Sequence, residues 1–192
     1  LLIKDSIEWI VIDGGSDMET LQLLSSLPNN IHHHRANDAG IYSAMNKSLN
    51  KVRGKFIWFL NAKDKNLLGS DEILDSIYKE PAADMIKFYA NVCEKNYKKE
   101  KEILSLVYLV RHTFNHQSYF INLRAFKKYP FNEGLKLAGD YFQLLEVWCD
   151  RPNVTYIRKD IVDYDLSGAT VGSETNDLIR KERLKSRCTD LY

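Results

Sequence analysis

Apolar residues along this chain fall into two patterns. Short continuous runs rich in β-branched and aromatic residues occur at Trp9–Ile12, Phe56–Leu60 and residues 84–93, 103–111, 116–123 and 154–166. Each predicts a strand, the first two covered on both faces. Between them lie stretches at helical spacing. Leu21, Leu23, Leu24 and Leu27 follow Ser16; Ile41, Ala44, Met45, Leu49 and Val52 precede a terminating Gly54; Ser70-Asp71 opens a segment that Pro81 closes. Residues 124–129 predict a short helix, and residues 140–149 a longer one with Phe142, Leu145, Val147 and Trp148 turned inward. Ile31–Arg35 predicts a polar edge strand, residues 94–102 a solvated hairpin tip, and Ser173 the cap of a final helix reaching about Ser186. Strand and helix alternate early and mix later, which defines an α/β sheet with an antiparallel extension. At 192 residues the chain supports one domain with a sizeable core.

The first of these strands stops at a carboxylate. Asp13 follows Trp9–Ile12, Gly14 and Gly15 follow it, and Ser16 with Glu19 makes a capping box that starts a helix at Asp17. A carboxylate at the carboxyl end of a parallel strand stands where open α/β sheets bind ligands. The same residue in a plainer role caps its own turn. Composition narrows the partners: with 28% charged residues and a net charge of +1, nothing argues for nucleic acid. The three cysteines (Cys93, Cys149, Cys188) are odd in number and form no Cys-x-x-Cys, so reduced thiols in a cytosolic compartment are expected. His32, His33 and His34 alternate faces in an extended segment and cannot converge on one metal ion. No apolar run is long enough to span a bilayer and no signal peptide is present.

Three further stretches bear chemistry. Asp38-Ala39-Gly40-Ile41-Tyr42-Ser43-Ala44-Met45-Asn46-Lys47 places Gly40 at a helix start, whose N–H groups and positive dipole end suit a diphosphate. Leu60-Asn61-Ala62-Lys63-Asp64 is the polar landing of the second apolar strand. Phe131-Asn132-Glu133-Gly134-Leu135-Lys136-Leu137-Ala138-Gly139-Asp140-Tyr141-Phe142 brings a carboxylate to the start of a helix, where Asp also serves as an N-cap. His116-Gln117 precedes another apolar run, and a hydrogen-bonded structural histidine is one reading of it.

In this order the stretches resemble the family 2 glycosyltransferases, in particular a subgroup that builds bacterial polysaccharides. The strand–Asp–Gly–Gly–Ser turn is similar to the family's Asp-Asp-Gly-Ser, with Gly14 for the second Asp. Residues 38–47 are similar to Asp-x-Gly-Ile-Tyr-Asp-Ala-Met-Asn-Lys, with Ser43 for Asp. Residues 60–64 resemble Leu-Asn-Ser-Gly-Asp, and residues 131–142 the segment bearing the catalytic base. Asp165–Thr170 is similar to a closing loop of the subgroup. The resemblance covers the chain from Asp5 onward and implies one catalytic domain over residues 1–192, of GT-A-like (Rossmann-like) α/β fold. In that fold a mixed, mostly parallel sheet is flanked by helices. The family's opening strand and most of its first helix have no counterpart here, and Leu1–Ser6 reads as the end of that helix.

What the resemblance implies is an inverting enzyme that moves a sugar from a nucleotide-sugar donor to a glycan or lipid-linked glycan acceptor. The setting would be lipopolysaccharide or capsule assembly, in the cytoplasm, with peripheral contact to the inner membrane. Asp140 would be the base. Asp13, Gly15, Asp38, Gly40, Asn46, Lys47, Asn61 and Lys63 would hold the donor, and His116 with Gln117 would face the acceptor. Asp64 would ligate Mg²⁺ or Mn²⁺, although Lys63 beside it argues against a metal, since an ammonium itself offsets diphosphate charge. The rival reading is a non-catalytic nucleotide- or glycan-binding protein on this fold, which Lys63, Gly14 and Ser43 favour and Asp140 opposes.

Overall fold

A central strand with close-packed neighbours organises the larger of two sheets. The structure, a computed structural model, describes residues 6–28, 31–35, 39–92, 103–110, 112–164 and 178–183. Its elements are β1 (Trp9–Asp13), α1 (Met18–Ser25), β2 (Ile31–Arg35), α2 (Ile41–Ser48), β3 (Phe56–Ile57), β4 (Lys65–Asn66) and α3 (Ser70–Tyr78). There follow β5 (Met85–Val92), α4 (Leu106–Leu109), β6 (Tyr119–Asn122), α5 (Leu123–Lys128), α6 (Gly139–Cys149), β7 (Val154–Tyr164) and a helical turn, α7, over 178–183. The five-stranded sheet has the order β3-β6-β5-β7-β4, with β5 parallel to β7 and antiparallel to β6. β1 and β2 form a separate parallel pair, in register from Trp9↔Ile31 to Asp13↔Arg35.

The two-residue period of a strand divides the core into two layers. Met85, Tyr119 and Ile121 point to one face and pack with Tyr42, Met45, Phe126, Leu144 and Val147 from α2, α5 and α6. Ile86, Phe88 and Phe120 point to the other, against Ile73 of α3 and Val162. Met85, Ile86 and Ile161 are wholly inaccessible, as expected of strands covered on both faces.

Several expectations are corrected. β1 is only half buried and Trp9 is 50% exposed, because the strand has a ladder partner on one side alone. The run Phe56–Leu60 keeps strand pairing only at Phe56–Ile57, antiparallel to β6 rather than in one sheet with β1. Beyond Ile57 its polar groups turn to the segment at 117, with Trp58 Nε1 donating to the Gln117 carbonyl at 2.8 Å. Residues 103–110, the described part of the strand expected at 103–111, form no strand. Ser105 accepts from the Tyr108 N–H and starts α4, which buries Leu109 and leaves Val107 exposed. Asn115 caps a 3-10 turn at His116–Ser118, and the strand begins only at Tyr119. Asp17, not Ser16, caps α1. α6 starts at Gly139 with Ala138 as its N-cap, so Asp140 lies in the first turn. It buries Tyr141, Leu144 and Val147, while Phe142, Leu145 and Trp148 are partly covered. The expected hairpin tip at 94–102, the loop at 165–170, the cap at Ser173 and Asp38 lie outside the described residues.

A groove of about 500 Å³ separates the two sheets, lined by Ile10 and Ile12 on one wall, Trp58 and Asn61 on the other, and Ala44 and Met45 of α2. The Glu8 carboxylate accepts from the Arg53 and Gly54 N–H groups, which fixes the start of β1 beside the start of β3. The segments that follow line the groove from its two walls.

Candidate active site

Asp13 ends β1 almost completely buried, at 5% exposure. Its Oδ1 accepts from the Ser16 N–H (2.9 Å), the Ser16 hydroxyl (2.5 Å) and the Gly15 N–H (3.3 Å). Gly15 stands at φ 125°, a backbone region that side chains rarely adopt. The Ser16 hydroxyl, the Ser16 and Gly15 amides and the Arg35 guanidinium together hold the Asp13 carboxyl below the ordinary carboxylate range. Oδ2 has no hydrogen-bond partner among the described residues and lies 3.8 Å from Arg35 Nε and 4.0 Å from His33 Nε2. One oxygen thus builds the turn, as the plainer reading of Asp13 expects, and the other is left to the two basic side chains.

α2 opens at Gly40, φ 131°, and no side chain among the described residues caps it. The other two residues expected of α2 face elsewhere. The Asn46 amide donates to the Phe131 carbonyl (2.8 Å) and Glu133 Oε1 (3.0 Å) and accepts from the Phe131 N–H (2.9 Å). Asn46, then Ser43, and the Lys47 charge hold Glu133 below its usual range. Asn46 and Lys47 therefore tie α2 to the loop before α6.

The landing after β3 is tied to two later segments. The Asn61 N–H donates to Gln117 Oε1 (2.8 Å), and Asn61 Oδ1 lies 3.3 Å from His116 Nε2. The other nitrogen of that ring, Nδ1, is 3.8 Å from Asp140 Oδ2, with both side chains largely buried. Asn61, His116 and Asp140 thus form one chain of polar contacts across three sequence-distant segments. Gln117 is wholly buried, and its Nε2 has no hydrogen-bond partner among the described residues. Lys63 sits at φ 77°, in the left-handed region, and its side chain is exposed. Asp64 is half buried in the same turn, its N–H bonded to the Asn61 carbonyl at 3.3 Å. No grouping of three His, Cys, Asp or Glu side chains that could hold a metal occurs among the described residues.

Two anchors of the Asp140 loop escaped the sequence reading. Glu182 of α7, 7% exposed, accepts from the N–H groups of Lys136, Leu137 and Ala138 at 2.8, 3.1 and 2.9 Å. The Tyr42 ring packs so closely on Gly139 that an added Cβ there would lie 2.6 Å from it, and burial and the Asp140 charge raise the pKa of its hydroxyl. Tyr42 lies within the motif at 38–47, yet its position there gives no sign of a partner almost a hundred residues on. Nothing local marks Glu182, which sits in a polar helix.

The architecture is that of the GT-A glycosyltransferases. Over 98% of this chain and 60% of the other, the fold matches S. aureus TarS 1-349, solved in complex with UDP-GlcNAc, at a TM-score of 0.69 and 18% identity. It also matches glucosyl-3-phosphoglycerate synthase from Mycobacterium tuberculosis, solved with Mn²⁺, UDP-Glc and phosphoglyceric acid. There the TM-score is 0.60 at 15% identity, over 93% of this chain and 68% of that one. The chain belongs to glycosyl transferase family 2, whose sequence profile matches residues 2–135. Over 61 residues it is 36% identical to the PGL/p-HBAD biosynthesis glycosyltransferase of Mycobacterium bovis, covering 30% of this chain and 24% of that protein. Over 75 residues it is 35% identical to an uncharacterized glycosyltransferase of M. tuberculosis, covering 38% and 28%. The chain spans about a quarter of the length of the curated relatives it matches. No helix among the described residues is long and apolar enough to cross a membrane.

Proposed function

We propose that residues 1–192 act as one catalytic domain that transfers a sugar, with inversion, from a nucleotide-sugar donor to a glycan or lipid-linked glycan acceptor in bacterial surface-polysaccharide assembly. The polar chain Asn61–His116–Asp140, with Asn61 on the wall of the groove, carries this reading. It sets a largely buried carboxylate within reach of an imidazole, next to the landing that would meet the donor's diphosphate. Asp13 Oδ2, buried with no donor among the described residues, is suited to accept from the nucleotide base, and the start of α2 after Gly40 is suited to phosphate.

In the reaction the acceptor oxygen attacks the anomeric carbon as its proton passes to Asp140 Oδ2. The bond from that carbon to the diphosphate breaks, and the nucleoside diphosphate leaves with the electron pair. His116 orients the carboxylate and, through Asn61, couples it to the donor side. A divalent cation bound with the donor would neutralise charge on the departing diphosphate. Asp64 is the side chain that would hold it. One carboxylate fits an ion that draws its remaining ligands from phosphate and water, and does not fit an all-protein cage. The work would be done at the cytoplasmic face of the membrane.

Asp140→Asn tests the reading. Turnover with a panel of nucleotide sugars, beginning with UDP-glucose and UDP-N-acetylglucosamine, should fall about a hundredfold to ten-thousandfold, because a base is lost. Binding of UDP, followed by calorimetry, should be nearly unchanged. Wild-type turnover in a folded variant would exclude Asp140 as base, and donor binding without any turnover in the wild type would favour a binding protein.

A further inference from the structure

The segment that bears Asp140 is anchored one peptide after another. Three successive N–H groups, those of residues 136–138, donate to one side chain, Glu182, and the Tyr42 ring packs directly against Gly139. A carboxylate persists at 7% exposure only where hydrogen bonds replace its hydration, and three amides do so here. Those bonds also fix the orientation of three consecutive peptide planes directly before α6. That helix has no side-chain cap of its own, and the clamp fixes the three peptides that lead into it, directly before Asp140. The next residue of α7 adds a second hold: the Arg183 guanidinium lies 4.4 Å from the centre of the Tyr141 ring. α7 is therefore docked on both sides of Asp140, at residues 136–138 and at 141.

We propose that Glu182 is a positioning residue for the transfer reaction. By clamping amides 136–138 from α7 it sets the approach of the Asp140 carboxylate to His116, and it makes the segment containing 178–183 part of the working site. This rests on the reading of Asp140 as the base. The 3.8 Å spacing of His116 and Asp140 leaves little tolerance, since a displacement of about 1 Å at a reacting group costs on the order of a hundredfold in rate.

The test compares the wild-type chain with Glu182→Ala, Glu182→Gln, Asp140→Asn and the double variant Asp140→Asn/Glu182→Ala. Turnover uses UDP-glucose and UDP-N-acetylglucosamine, and amide protection is followed by hydrogen–deuterium exchange. Glu182→Ala should lower kcat about tenfold to a hundredfold with donor KM unchanged. It should also strip protection from amides 136–138 while β5 and β7 keep theirs. Glu182→Gln retains the volume and one acceptor oxygen, so it should fold normally and fall between the two. In the Asp140→Asn background the Ala substitution should add no further loss. Unchanged kcat, unchanged protection at 136–138, or an equal loss in both backgrounds would each overturn the proposal. Failure of the base assignment shows separately, as wild-type turnover in Asp140→Asn, and the exchange data then still decide whether the clamp exists.

Discussion

The two sides of the candidate site are held by different means. Asp13, on the donor side, is bound to Gly15 and Ser16, two and three residues on, and the turn at 61–64 closes on itself through Asn61 and Asp64. On the base side, the loop from Phe131 to Asp140 is held by Asn46, Tyr42 and Glu182, with separations of 85 residues for Asn46 and at least 44 for Glu182. The donor side is built on local turns, with Asn61 tied outward to His116 and Gln117. The base side exists only once three remote segments have docked. Binding a nucleotide and placing a proton acceptor have opposite needs, adaptability and fixity, and the bonding pattern follows that division.

The largest effect should come from breaking the base side where it is tightest. A Cβ on Gly139 would lie 2.6 Å from Tyr42 Cε2, a ring that is itself 4% exposed and has no room to retreat. Gly139→Ala should therefore destabilise the fold by about 1–3 kcal/mol, the usual range for overpacking. Urea denaturation would show this as a lower midpoint, and turnover should fall with it. A variant as stable as the wild type would mean that the close approach of Tyr42 is not a constraint.

The donor side should respond less, and in the other direction. A non-glycine residue held in left-handed backbone is strained by about 1–2 kcal/mol, partly offset by the freedom glycine gains in the unfolded chain. Lys63→Gly, at φ 77°, should thus raise stability by about 1 kcal/mol. Lys63→Asp probes the charge instead: a two-unit change beside an anionic ligand should make UDP binding depend more on Mg²⁺. Calorimetric titration with and without EDTA reads this, and equal metal dependence in both proteins would mean that the Lys63 ammonium stays in solvent.

The smallest effect is a pH dependence at Asp13. Its carboxyl is held below the ordinary range when folded, so it stabilises the protein fully above its unfolded value near 4. That contribution is lost as pH falls through the folded value. Ser16→Ala removes the largest cause of the depression. Denaturation midpoints at pH 6 and pH 3 should differ less in that variant than in the wild type, while the base-side loop is untouched.

The same division explains what could be read in the sequence. The turn at Asp13 was legible because an apolar strand, two glycines and a serine are all local signals, and the start of α2 at Gly40 for the same reason. Residues 103–111 misled because a continuous apolar run fits a strand or a buried helix alike; only Ser105, a cap, pointed to the helix. The strand expected at 56–60 was cut short by Gln117, whose side chain and carbonyl claim Asn61 and Trp58 from 56 and 59 residues away. Asn46 and Lys47 were placed with the donor by their motif, yet their side chains serve Glu133 and Phe131. Glu182 leaves no trace in local pattern, since three amides from another segment are what give it a task.

The separation of the sheets bears on how the molecule breathes. β1 and β2 share no backbone ladder with the five-stranded sheet; the groove intervenes, bridged at its start by Glu8 and floored by α2. Cooperative opening follows contiguous hydrogen-bonded units, so the two-stranded unit should exchange its amides as one low-energy foldon and β5 with β7 as another of much greater protection. A nucleoside diphosphate seated between Asp13 and Asn61 would then straddle two foldons. Its release would need only the smaller one to loosen, and the carboxylate at 140 would stay in place for the next sugar.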